Sequence, residues 1–324
     1  MSENKRLLSS GLAMVARNKR YLVWFWLLNL TLAEFGTGAF RRSAHAVLDH
    51  SLAADKLVHG FHLATMSELF ARPEFGQMSA MTMPAFYFAF IFLLATALFL
   101  PGVFEGYASG ERLPRDDFFR ACGRNLWRFI RLMIIAGIVM GIVAGALFGI
   151  QGVLLKKVAE STNEVLPFQV HMASLAVIFL IMTTLRIWFD LAEVDIVLKD
   201  QRAVRKSIWA GLRHTLGSLF RLLANYVVIT IIAAIVLVGG LWAWEKFVAP
   251  ASVLSAFLLA QVILLLLLIP RFWQRGVAVS YWQQKMMVPA AATTPAPIPL
   301  EPLPVAIPEP TPPSPETPPT TPGM

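Results

Sequence analysis

Charge and cysteine are scarce in this chain, and so are the residue patterns that carry chemistry. Charged residues make up 15% of its 324 positions, against about 25% in soluble domains. A single cysteine, Cys122, excludes an intramolecular disulfide framework. No Walker loop, HExxH, GxSxG or CxxC pattern occurs, so the sequence identifies no catalytic residue and implies no cofactor. "ASGERLPRDD" reads as a loop between helices, not as a phosphate cradle. The opening "MSENKRLLSS" lacks the apolar core of a signal peptide, and the apolar stretch from Tyr21 has no small-residue cleavage site after it. That stretch is therefore expected to stay as a span.

What the chain has instead is apolar length. Hydrophobic residues are 56% of the sequence and mean hydropathy is +0.61. They lie in blocks of about 18 or more, long enough to cross ~30 Å of hydrocarbon. The expected fold class is an all-α polytopic transmembrane helix bundle. Six spans are drawn at roughly 20–40, 84–105, 129–154, 168–192, 217–246 and 251–273, within a membrane domain covering residues 1–288. A polar outer segment of helical pattern, 43–83, separates the first two.

Orientation follows from where lysine and arginine fall, because cytoplasmic loops carry the excess. With the N-terminus inside, 21 of the 28 Lys and Arg lie on the cytoplasmic side and seven outside. Both termini are then cytoplasmic, and the expected location is an inner membrane. The net charge of +8 is distributed for anionic lipid head groups rather than for nucleic acid.

Much of that charge directly precedes outward-going spans. "VARNKRYLVWFW", "CGRNLWRFIRLM" and "GLRHTLGSLFRLL" each set basic and aromatic residues ahead of an apolar run. Arg120, Arg124, Arg128 and Arg131 form one helical stripe, and Arg213 and Arg221 occupy the third copy. Such segments read as short interfacial helices, elbows that bend into the bilayer. Three elbows imply three successive hairpins. The first, third and fifth spans contain no proline, which excludes the mitochondrial-carrier pattern that three hairpins otherwise suggest.

Residues 289–324 hold 14 prolines in 36 positions, with no Lys, Arg or aromatic residue. A segment of that composition buries too little apolar surface to offset ordering, and a disordered tail is expected.

A few polar residues stand out against this background. Glu34 is the acid best placed to lie within a span, with Asn29, Gln151 or His171 as candidate partners, and marks a possible solute or proton site. Gly137, Gly141, Gly145 and Gly149 recur every four residues along the third span and are expected to pack closely against another helix of the chain. Arg186 and Asp190, with Glu193 and Asp195 following, read as a structural charge cluster reaching toward the inner interface. The outer segment carries His45, Asp49, His50, His59 and His62. Their spacing matches no zinc pattern, and packing of two amphipathic helices on the mouth of the bundle is the reading preferred to metal binding.

The alternation of basic elbows with outward spans is most visible in "GYASGERLPRDDFFRACGRNLWRFIRL" and "LAEVDIVLKDQRAVRKSIWAGLRHTLGSLFRL". In this it resembles uncharacterised bacterial six-span membrane proteins. It is also similar to the membrane domain attached to some glycerophosphodiester phosphodiesterases, without the hydrolase barrel and with no catalytic residue carried over. The function expected is that of a non-enzymatic membrane component contacting an unidentified protein partner through its outer loop or tail. The alternative is a small-solute or lipid transporter using Glu34 and the glycine groove.

Overall fold

The computed structural model describes residues 3–38, positions 41, 42, 45, 48, 64 and 67, and then 78–160, 163, 165–248 and 252–285. Most of the outer segment, with Asp49, His50, His59 and His62, and the whole Pro-rich tail lie outside the described residues. Residues 1–286 form one compact unit.

Every regular element among the described residues is helical: α1 (Glu3–Arg17), α2 (Lys19–Gly36), α3 (Met78–Ala108), α4 (Arg115–Ala159), α5 (Val165–Leu198), α6 (Val204–Gly217), α7 (Leu219–Phe247) and α8 (Val253–Lys285). Five of them, α3, α4, α5, α7 and α8, are long and apolar enough to cross a bilayer. The coarse architecture is thus a multi-pass helical membrane bundle. α2 is not among the five: its 18 residues include Lys19, Arg20 and Glu34.

Two of the three expected elbows are separate helices. α1 ends at Asn18 (φ −110°, ψ 34°) and α6 at Ser218 (φ −136°, ψ 29°), each immediately before a new helix. Asn and Ser favour such breaks because their side chains compete for backbone hydrogen bonds. Asn18 donates to the Met14 carbonyl (3.2 Å), and Ser218 Oγ accepts from the Tyr281 hydroxyl (2.9 Å). The middle elbow does not exist as a separate element. α4 runs unbroken for 45 residues, about 68 Å, roughly twice the hydrocarbon thickness. Its Asn125 stays helical, its amide held by the Ala121 carbonyl at 3.1 Å.

α3 packs most extensively on α4 and also on α2, α4 packs on α5 and α7 on α8, while α1 lies on α8 and α6 on α5. The two separate elbows dock by the same device. Trp273 of α8 donates its indole N–H to the Leu8 carbonyl of α1 (2.9 Å), and Trp188 of α5 donates to the Ile208 carbonyl of α6 (2.7 Å). Three residues beyond each acceptor stands a glycine at backbone contact. A Cβ on Gly11 would lie 2.8 Å from the Val277 nitrogen, and one on Gly211 2.8 Å from the Trp188 carbonyl.

Nearly all fully buried side chains sit at the basic end of the bundle. Leu7, Tyr21, Phe104, Phe118, Phe129, Ile187, Tyr226 and Tyr281 are all within 1% of complete burial. The far halves of the helices instead display Ile138, Ile142, Ile150, Ile235 and Leu241 to the surroundings. The expected glycine groove lies on that exposed surface. A Cβ on Gly137, Gly141, Gly145 or Gly149 would meet no atom within 4 Å, so among the described residues no helix approaches that row. The intrachain packing expected of it is corrected: spacing gave the stripe but not the direction in which it faces.

Candidate functional site

On α5, Arg186, Asp190 and Glu193 stand at i, i+4 and i+7, which puts all three on one helical face. On α8, Arg271 and Arg275 stand at i and i+4, just beyond the buried Pro270 inside the helix. These faces border one cavity of about 560 Å³. Its remaining wall is apolar, including Phe92, Met133, Met140, Phe179 and Met182, with Thr96 and Thr183 as polar exceptions. Three guanidinium groups and two carboxyl groups thus share the wall of one space with apolar side chains.

The cluster is only partly self-satisfied. Arg186 Nε lies 3.8 Å from Asp190 Oδ2. The Tyr226 hydroxyl of α7 approaches the same oxygen at 2.8 Å and the Gln274 carbonyl at 3.2 Å. Gln274 in turn donates to Thr230 Oγ1 (3.1 Å), so α5, α7 and α8 are tied together on one side of the cavity. Asp190 and Arg275 are buried, at 7% and 8% exposure. Glu193 Oε2 and Arg275 Nε are buried and have no hydrogen-bond partner among the described residues. A purely structural ion network would satisfy its donors and acceptors, because an unpaired buried charge is costly. The cluster therefore keeps hydrogen-bonding capacity beside the cavity that its own side chains do not use.

This differs from the expected cluster reaching toward the interface. Arg186, Asp190 and Glu193 line the cavity, while Asp195 is separate, paired with Lys199 (2.9 Å) and accepting the Trp282 indole N–H (3.4 Å). The sequence does not single out Arg271 and Arg275, which count there only within the cytoplasmic excess of Lys and Arg. The signal available was their four-residue spacing after a proline in an unbroken apolar run.

Glu34 is elsewhere. Its carboxylate is 59% exposed and pairs with Arg41 at 2.9 Å, and it does not line the cavity. Gln151, one of its candidate partners, is buried between α4 and α5, donating to Ser174 Oγ (2.8 Å) and lying 3.3 Å from His171 Nδ1. Asn29 is half-buried on α2. Of the glycine row only Gly137 touches the cavity. His45 is exposed, and no group of three His, Cys, Asp or Glu able to hold a metal occurs among the described residues.

The arginine stripe anchors the basic end. Arg128 pairs with Asp200 at 2.6 Å, Arg124 with Glu105 at 3.3 Å, and Arg120 with Asp117 at 3.5 Å, while Arg131 lies over the Trp127 ring. Arg213 is exposed on α6 and Arg221 half-buried on α7. Asp200 takes the left-handed backbone conformation (φ 49°) after α5, which turns its carboxylate onto α4. The Arg128 hydrogen bond holds that carboxyl below its ordinary range. On α6, burial and the neighbouring Lys199 and Arg213 hold the His214 imidazole below its ordinary value. No protein-family model, curated protein sequence or solved structure matches the chain.

Proposed function

We propose that this protein is a six-span inner-membrane protein with both termini in the cytoplasm, and that it carries an organic anion with an apolar portion through the cavity between α5 and α8. The observation that supports the ligand is the gathering of Arg186, Asp190, Glu193, Arg271 and Arg275 in the wall of an otherwise largely apolar space. Ionisable groups inside a membrane bundle mark substrate paths by default, since a chain without use for them gains by replacing them. Three cations against two anions favour a carboxylate or phosphate head, and the Phe and Met wall favours a hydrocarbon tail.

The sixth span in this reading is α2. Its 18 residues reach ~27 Å, with Lys19 and Arg20 at one end and Glu34 near the other, so the stretch from Tyr21 to Ala33 carries no charge. The charge bias of 21 to seven supports the orientation, and the short connections from α4 to α5 and from α7 to α8, whose helices pack on one another, support hairpins there, with α3 packed on both α2 and α4. The proposed relationship to membrane domains attached to glycerophosphodiester phosphodiesterases accords with an anionic head group. The scaffold reading rests on the outer segment and the tail, both largely outside the described residues.

The test is equilibrium binding of radiolabelled oleate and lysophosphatidylglycerol to the purified full chain. Saturable binding of one ligand per chain is expected, weakened at least tenfold in Arg271→Met. Absence of saturable binding, or binding unchanged in a folded Arg271→Met variant, overturns the reading and leaves the cluster structural.

A further inference from the structure

A second kind of site lies at the basic end of the bundle, on its outer surface. Where α1 gives way to α2, Arg17, Lys19 and Arg20 meet Arg112 of the turn before α4 around a cavity of about 410 Å³. Trp24 walls this cavity and also the neighbouring one, of about 420 Å³, which Phe25, Leu28, Phe99 and Phe119 line with Arg115 at its edge. The pair makes one amphipathic groove. Leu28 lies nine residues further along α2 than Lys19, about 13 Å deeper, so the basic part sits at the interface and the apolar part runs into the bilayer.

The groove holds five cations and no acid among its lining residues. Arg20 is braced, donating to the Leu113 carbonyl (2.7 Å) and lying over the Tyr21 ring (4.9 Å), yet its Nε is buried without a hydrogen-bond partner. No acidic side chain pairs with any of the five among the described residues; the nearby Asp117 is engaged by Arg120. The same chemistry recurs further along the chain. Arg131, Ile134 and Ile135 of α4 meet Arg202 of the turn before α6 and Arg205 in the first turn of α6 around a cavity of about 480 Å³. Each site joins the start of an apolar helical run to the basic turn ahead of a later helix.

We propose that these two grooves are binding sites for anionic phospholipid, holding the phosphate among the arginines and one acyl chain along the apolar wall. Charge complementarity selects the head group, and the depth order of basic and apolar residues selects a molecule lying in the leaflet. A water-soluble anion would fill only the basic part. The proposal is independent of the central cavity, with which the Trp24 groove shares Phe25 alone.

The experiment is native mass spectrometry of the full chain from detergent micelles doped with equal dioleoylphosphatidylglycerol and dioleoylphosphatidylcholine. Two tightly retained phosphatidylglycerol molecules per chain are expected, favoured at least tenfold over phosphatidylcholine. Changing Arg17, Lys19, Arg112 and Arg115 to Gln should remove one, and changing Arg131, Arg202 and Arg205 to Gln the other. If the first variant fails to fold, Arg112→Gln alone, at an exposed turn position, should weaken one site. Removing the exposed Arg120 and Arg213, which line neither groove, should leave both, and inorganic phosphate should displace neither. Equal retention of the two lipids, an unchanged preference in the groove variants, or equal loss in the Arg120 and Arg213 control would each overturn the proposal. The Arg271→Met variant should retain both lipids, which separates this test from that of the cavity.

Discussion

Replacing Gly276 by alanine tests the contact that closes the bundle, where the first helix of the chain meets the last. An added Cβ at Gly276 would lie 2.6 Å from the Gly11 carbonyl oxygen and 3.1 Å from its Cα. Ordinary contact is ~3.5 Å, so α1 and α8 would have to part by nearly 1 Å. Both partners are backbone, and no rotamer change relieves the overlap. Overpacking costs ~1–3 kcal/mol, and an overlap that only parting of the helices relieves takes the upper part of that range, ~2–3 kcal/mol. Alanine's better helix propensity returns ~1 kcal/mol, leaving a net loss of ~1–2 kcal/mol. At ~2–4 °C per kcal/mol for a domain of this order of size, thermal unfolding in detergent should fall by ~2–8 °C. Parting the helices also weakens the Trp273 bond to Leu8, so the emission of that tryptophan should shift in the same variant. Gly141→Ala supplies the opposite sign. Nothing lies within 4 Å of its Cβ position, so only the propensity term remains and stability should hold or rise by up to ~1 kcal/mol. An unchanged melting temperature for Gly276→Ala would refute the docking of α1 on α8. A drop for Gly141→Ala would refute the outward-facing glycine row.

Reporter fusions placed after residue 285 and within 43–83 should report cytoplasm and exterior respectively; an exterior signal from the first requires an odd number of crossings and removes the six-span topology. The Arg128–Asp200 pair carries a pH dependence of definite sign. Because the Asp200 carboxyl is held below its ordinary value of 3.8, its contribution to stability is complete above that pH and is lost as pH falls through the lowered value. The melting temperature of the wild type should therefore show an acid limb below pH 3.8 that Asp200→Asn lacks. The limb should shrink in high salt, since the carboxylate is half exposed. Superimposable acid profiles for the two proteins would contradict the pairing.

Much of the architecture was written in local composition. An apolar run of 20 residues has few fates other than a membrane helix, and the crowding of arginine at alternate ends of those runs needs no tertiary information to read. Asn18 marks a helix break through a side-chain bond that reaches four residues back, whereas Ser218 is held by Tyr281 of α8. Face selection is different, because periodicity says which residues share a side of a helix and not what that side meets. The conspicuous glycine row of α4 proved to face outward, whereas single unremarkable glycines, Gly11, Gly211 and Gly276, sit at the close helix crossings. Glu34, the obvious intramembrane acid, is satisfied by Arg41 on the surface. The charges that meet a cavity come from α5 and α8, some 80 residues apart, and each half reads by itself as ordinary interfacial charge. Only the tertiary structure puts Arg271 and Arg275 around one cavity with Arg186, Asp190 and Glu193. That gathering is decided by how helices α5, α7 and α8 pack, a non-local balance that no single segment encodes.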